Sequence, residues 1–241
     1  WQPLLPVEFI AAAASLLMLQ AANAGGAIGD SATDLRQQAA AVFAPLRQPD
    51  GGYAKNTRNR ASSTYHTFLV VSCKQWLGIA DDDPPAIASF LCSRQRPDGG
   101  FVEVADARSS GVNPTAAAIV LARAIEALTS APGEASPSGQ KLLLPSLEAA
   151  ARYLAAMQTP EGGLRASALV PFADLLSTFT GLVALTSLEA VWQIDRHAMQ
   201  RYVAGLEDPA GGYRGGLWDA QPDCEYTFYG LGTLALLHSA G

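Results

Sequence analysis

Four copies of one short motif, each a proline, a variable residue, two glycines and a bulky apolar or aromatic residue, set the frame of this 241-residue chain. They read Gln48-Pro-Asp-Gly-Gly-Tyr53, Gln95-Arg-Pro-Asp-Gly-Gly-Phe101, Gln158-Thr-Pro-Glu-Gly-Gly-Leu164 and Glu207-Asp-Pro-Ala-Gly-Gly-Tyr213. Proline presets φ for a turn, and glycine accepts the positive φ that other residues resist. Each copy therefore predicts a sharp corner with its bulky residue anchored in the core. Fifteen residues after the second glycine of every copy stands a threonine: Thr67, Thr115, Thr178 and Thr227. Threonine supplies only 12 of the 241 residues, so four aligned hits mark a true repeat. The corners lie 48, 63 and 49 residues apart, and the long interval holds a loop-like insertion, Ser130–Lys141.

A repeat at this period favours a single solenoid or closed ring over residues 1–241. At 49% hydrophobic and 16% charged, the chain can bury a large core, and disorder is excluded. A net charge of −6 leaves no basic footprint for nucleic acid. Cys73, Cys92 and Cys224 are odd in number and show no CxxC spacing, which argues against a disulfide framework and fits a reducing, cytoplasmic setting. Leu4–Ala24 is nearly all apolar, but Glu8 interrupts it and no basic residues precede it. It reads as a buried helix over about Pro6–Ala22, not a leader or a membrane span.

Further helices are expected from Asp30 or Ser31 to about Leu46, Ser63 to Leu77, Asp83 to Arg94, Thr115 to Leu128, Leu143 to Met157, Asp174 to Ala190, Asp195 to Leu206 and Asp223 to Ser239. No stretch alternates long enough for a substantial strand, so the chain reads as all-α. Helices after the corners are apolar on nearly every side, whereas those before the corners are amphipathic, with Arg36, Arg152 and Arg201 facing outward. An inner ring of buried helices inside an outer ring satisfies both patterns. The fold expected is an α/α toroid of helical-hairpin repeats.

The corners, the two helix kinds and the period of about 50 residues resemble the prenyltransferase and squalene-cyclase repeat of protein prenyltransferase β subunits and terpenoid cyclases. The likeness covers essentially the whole chain and is closest over Gly211-Gly-Tyr213 and Asp223-Cys-Glu-Tyr-Thr-Phe-Tyr-Gly-Leu231, which look like the last repeats of geranylgeranyltransferase β subunits. The resemblance implies chemistry at the N-termini of the inner helices. It also implies zinc held by an aspartate, a cysteine two residues later, and a histidine in the next repeat. Those positions fall on Asp174, Leu176 and Tyr226, so two of the three ligands are missing and no zinc is expected. The basic positions the family places before the zinc aspartate fall on Ala168 and Pro171, and Asp81-Asp82-Asp83 does not match the cyclase Asp-x-Asp-Asp acid.

Candidate site residues follow from both readings. His66, Asp174 and Asp223 could act as acids or bases, although Ser63, Gly111, Asp174 and Asp223 occupy equivalent positions and are all acceptable helix caps. Arg58, Arg60 and Arg108 could hold an anionic head group. Tyr65, Phe179, Tyr226 and Phe228, with Tyr229, could line an apolar cavity, though aromatics at helical spacing also serve as ordinary core. The expectation is an isoprenoid-related transferase, or a binder of an isoprenoid or its diphosphate, without an intact zinc site. The alternative is a scaffold that presents the toroid mouth to a protein partner, and the family's protein prenyltransferases work as heterodimers.

Overall fold

The computed structural model describes residues 29–58, 60–79, 83–129 and 143–239. The helix expected over Pro6–Ala22 and the insertion lie outside the described residues. Among the described residues, eight α-helices follow in order: α1 (Gly29–Phe43), α2 (Thr64–Trp76), α3 (Pro84–Arg94), α4 (Val112–Thr129), α5 (Leu147–Ala156), α6 (Leu175–Ser187), α7 (Arg196–Ala204) and α8 (Cys224–Ser239). Short 3-10 turns cover Ala44–Leu46 and Val191–Gln193, and two antiparallel strands of two residues, Tyr53–Ala54 and Ser62–Ser63, sit at the first corner. No described helix is long and apolar enough to cross a membrane. The described residues form two compact units, one with Arg94 and everything before it plus Leu121–Leu144, the other with Gln95–Val120 and Pro145 onward.

Each corner is tied to its inner helix by one threonine. The Thr67, Thr115, Thr178 and Thr227 hydroxyls accept the backbone N–H of Tyr53, Phe101, Leu164 and Tyr213 at 2.8, 2.8, 2.9 and 3.0 Å. Each hydroxyl then donates to the carbonyl four residues earlier, on Ser63, Gly111, Asp174 or Asp223, at 2.6–2.7 Å. The fifteen-residue interval thus records a hydrogen bond. The anchored side chains are buried: Tyr53, Phe101, Leu164 and Tyr213. In the first two repeats an aspartate adds a brace: Asp50 accepts from Gly52 N–H and the Ser62 hydroxyl, and Asp98 from Gly100 N–H and the Ser110 hydroxyl. The third and fourth repeats lack both partners, having Glu161 with Ala173 and Ala210 with Pro222.

The first glycine of each of the first three corners has positive φ, +91°, +86° and +105° at Gly51, Gly99 and Gly162. A Cβ there would overlap the backbone carbonyl of Ala86, Ala149 or Ala198, in the next outer helix. A Cβ on the second glycine would strike the ring of Phe90, Tyr153 or Tyr202. The outer helices thus share a pattern the corners alone do not reveal: a cap residue (Asp83, Ser146 or Asp195), alanine three residues on, and an aromatic four beyond that. The cap side chain accepts the N–H of that alanine. Gln95 and Gln158 fasten the joint, each donating to the carbonyl and accepting the N–H of the next cap residue, Ser146 or Asp195, at 2.8–2.9 Å.

Two boundaries differ from the sequence reading for physical reasons. Helix α4 begins at Val112, three residues before Thr115, and takes Pro114 into its first turn, where the missing N–H costs nothing. Helix α5 begins after Ser146, whose side chain accepts Ala149 N–H, so Pro145 precedes the cap instead of lying inside the helix. Thr178→Val, which keeps shape but orphans the buried Leu164 N–H, should cost about 1–3 kcal/mol in urea unfolding. Gly162→Ala should cost about 3 kcal/mol or more, as strain at positive φ combines with a clash against Ala198. Gly211→Ala, with φ +102° but no described atom within 4 Å of the new methyl, should cost only about 1–2 kcal/mol.

Candidate functional site

The N-terminus of each inner helix leaves backbone N–H groups that need acceptors. Ser63 accepts His66 N–H at 3.0 Å, and its hydroxyl also pairs with His66 Nδ1 at 2.8 Å. Asp174 accepts both the N–H and the hydroxyl of Ser177, at 2.7 and 2.8 Å. Asp223 accepts Tyr226 N–H at 2.7 Å. All three aligned positions therefore cap helices. Gly111 has no side chain to offer; in that repeat the Val112 N–H reaches Ala166 O at 2.8 Å, as Leu175 N–H reaches Gly215 O.

In the second unit, α6 and α8 pack along an aromatic cluster. Phe179 stacks on Tyr229 with centroids 5.2 Å apart at 29°, and meets Phe228 edge-on at 5.5 Å. Tyr229 also contacts Tyr226 and Phe228 edge-on and donates to Glu225. Carboxylates gather near Tyr226, at one end of this cluster. Burial raises the Tyr226 phenol pKa, and the charges of Asp174, Glu225, Asp223 and Asp219 raise it further. Burial likewise pushes the Asp174 carboxyl above the ordinary carboxylate range, against the lowering pull of its Ser177 bonds. The result is an apolar, π-rich surface with an acidic border, suited to hydrocarbon and to positive charge and poorly suited to a diphosphate.

The other candidates fall elsewhere. In the first unit, Arg58 and Arg60 are exposed on the loop between the two short strands. Tyr65 is 42% exposed, with His66 edge-on at 5.8 Å and Phe68 at 6.2 Å. In the second unit, Arg108 is exposed on the loop before α4. At the zinc positions Leu176 has no donor atom, Tyr226 offers a phenol with a raised pKa, and the Asp174 oxygens are engaged by Ser177. Among the described residues no three His, Cys, Asp or Glu converge as metal ligands. Two grooves in this unit lie away from the aromatic cluster: one of about 510 Å³ between Trp192, Arg196 and Leu237, and one of about 340 Å³ beside Asp98, Arg152 and Tyr153.

Sequence reasoning passed over Tyr202. It is 4% exposed, its hydroxyl has no hydrogen-bond partner among the described residues, and burial with the nearby Asp174 and Glu161 charges raises its pKa. The alanine-to-aromatic spacing shared by the outer helices was the signal that could have found it. Because the Asp174 pKa is raised on folding, its ionised form costs stability above that pKa, and the cost vanishes as pH falls below the unfolded value near 3.8. Asp174→Asn keeps an acceptor for Ser177 N–H, and its amide can donate to the Ser177 hydroxyl. It should therefore unfold at higher urea than the parent at pH 7, and the gain should disappear near pH 4.

Residues 144–240 match the family model of the prenyltransferase alpha-alpha toroid domain. No curated protein matches the chain in sequence. Among solved structures, the chain is similar to Candida albicans protein geranylgeranyltransferase-I complexed with GGPP, with TM-score 0.67 and 12% identity over 89% of this chain. It covers 65% of that chain, less than two thirds of its length. It is also similar to a point variant of the type II terpene cyclase MstE from Scytonema, in complex with its substrate geranylgeranyl dihydroxybenzoate. Here the TM-score is 0.57 at 16% identity, over 93% of this chain and 71% of that one. At such identities the likeness speaks for the fold alone, and the family match covers residues 144–240, which correspond to a prenyltransferase alpha-alpha toroid domain.

Proposed function

We propose that this toroid binds an isoprenoid chain on the aromatic surface of α6 and α8, without a zinc centre. The observation that carries the reading is the cluster of Phe179, Tyr226, Phe228 and Tyr229 at the capped ends of the inner helices. Both similar structures hold geranylgeranyl ligands, which supports a hydrocarbon of that class. The acidic border and the loss of two ligand positions argue against zinc-assisted transfer from a diphosphate. Asp174, half-buried and with a raised pKa, is the residue in this unit best placed to hold a proton against the aromatic surface, with Asp223 beside Tyr226 as a second carboxylate. His66 would act separately, in the first unit. Arg108 would matter only for a ligand with an anionic head, and Arg58 and Arg60 stand with His66 in the first unit.

A thermal-shift series with geranylgeraniol, farnesyl diphosphate and geranylgeranyl diphosphate tests this. A ligand at 100 times its Kd stabilises by about 2.7 kcal/mol, an easily read upward shift in Tm. Phe179→Ala should abolish the shift with all three ligands. Arg108→Ala should reduce only the diphosphate shifts if its loop holds the head group. A flat response to all three ligands overturns the isoprenoid reading and favours the scaffold alternative, for which the exposed Leu217 and Trp218 beside Phe172 offer an apolar surface.

A further inference from the structure

The first two joints share a corner aspartate and differ in what meets it, and each lies within one unit. At the first joint Asp50 Oδ1 accepts the Gly52 N–H and the Ser62 hydroxyl, and Oδ2 accepts an Arg94 N–H at 2.7 Å. Arg94 stands eleven residues after the cap residue Asp83, at the end of α3, and is 5% exposed. Its guanidinium also lies 4.5 Å from the centre of the Phe90 ring. One cation closes this joint, neutralising the corner carboxylate and covering the ring. At the second joint Asp98 Oδ1 accepts the equivalent pair, the Gly100 N–H and the Ser110 hydroxyl, at 3.0 and 2.9 Å. Eleven residues after the cap residue Ser146 stands Met157, which carries no charge. Among the described residues nothing donates to Asp98 Oδ2.

The groove of about 340 Å³ is lined by Asp98, Tyr153 and Met157, the counterparts of Asp50, Phe90 and Arg94. Tyr153 is 5% exposed, and its hydroxyl has no hydrogen-bond partner among the described residues. Burial and the Asp98 charge raise the phenol pKa to about 12, against the opposing pull of Arg165. Arg152 also lines the groove, with its guanidinium on Glu148 of the same helix. Neither arginine bonds Asp98. We infer that the second joint is a binding site for a small organic cation, a guanidinium on a short alkyl stem, which takes the place that Arg94 fills in the first. Its N–H groups would meet Asp98 Oδ2, its flat face the Tyr153 ring, and its stem the Met157 thioether. The Tyr153 hydroxyl adds an acceptor that Phe90 lacks. A guanidinium suits this place better than an ammonium, because it is planar and weakly hydrated and can stack on a ring while its edge bonds a carboxylate. Lys141 is the one lysine or arginine of the sequence outside the described residues, and it carries an ammonium.

Butylguanidinium, titrated into the intact protein at constant ionic strength and followed by saturation-transfer NMR, should bind saturably with a Kd of about 1 mM. Butylammonium should bind about tenfold more weakly. Asp98→Asn keeps an acceptor for Gly100 and Ser110 but loses the charge, and should weaken butylguanidinium binding about tenfold. Met157→Arg supplies the guanidinium from the chain itself. It should abolish binding and raise the urea midpoint, and it should leave the isoprenoid thermal shifts unchanged, since the groove lies away from the aromatic cluster. Lys141→Met should leave the affinity as it is. No saturable binding up to about 20 mM butylguanidinium, or an affinity indifferent to both Asp98→Asn and Met157→Arg, overturns the inference. Binding that appears only after Lys141→Met also overturns it, by assigning the groove to the chain's own lysine.

Discussion

One hydroxyl per repeat holds the architecture in register. A glycine corner by itself is a flexible turn, because glycine loses more freedom on folding than any other residue. The threonine of the following helix removes that freedom by taking the N–H of the residue just past the corner and giving its own proton to the first turn of the helix. Corner, anchor and helix start become one rigid body in each repeat. The bulky residue is then aimed into the core, and the glycine faces the next outer helix. Without this relay the paired glycines could adopt several turns and the next helix would meet no fixed surface.

The stacking of repeats uses backbone against backbone. A carbonyl of Ala86, Ala149 or Ala198 approaches so closely that the corner has no room for a Cβ, and the aromatic ring one turn later packs against the second glycine. Small residues at the contact allow the approach, and the ring adds buried apolar surface there. The glutamine clamps then satisfy the end of the incoming helix. The second and third joints therefore combine shape, apolar burial and polar satisfaction at one place.

Much of this was legible in the sequence, because it depends on contacts within about fifteen residues. The corner glycines, the threonine and the caps at Ser63, Asp174 and Asp223 could be read by counting along the chain. Contacts between repeats were less visible. Nothing local marks Val112 as a helix start, since its N–H is satisfied by Ala166, more than fifty residues away. Tyr202 read as an ordinary outer-helix residue because its burial comes from a corner in the preceding repeat. The site behaved the same way. Residue types were readable, but the gathering of Asp174, Asp219, Asp223 and Glu225 around Tyr226 required three separate loops and helix ends to meet.

The glutamine clamps also measure how cheaply this architecture accepts extra chain. Gln95 and Ser146 are 51 residues apart, Gln158 and Asp195 only 37, yet the two pairs form the same two bonds at nearly the same lengths. For a flexible connection, loop-closure entropy grows only with the logarithm of length, so the longer span costs about 0.3 kcal/mol more than the shorter. That is below the worth of a single hydrogen bond. Connections between hairpins can thus lengthen almost without penalty, which leaves them free to diverge while the joints stay fixed.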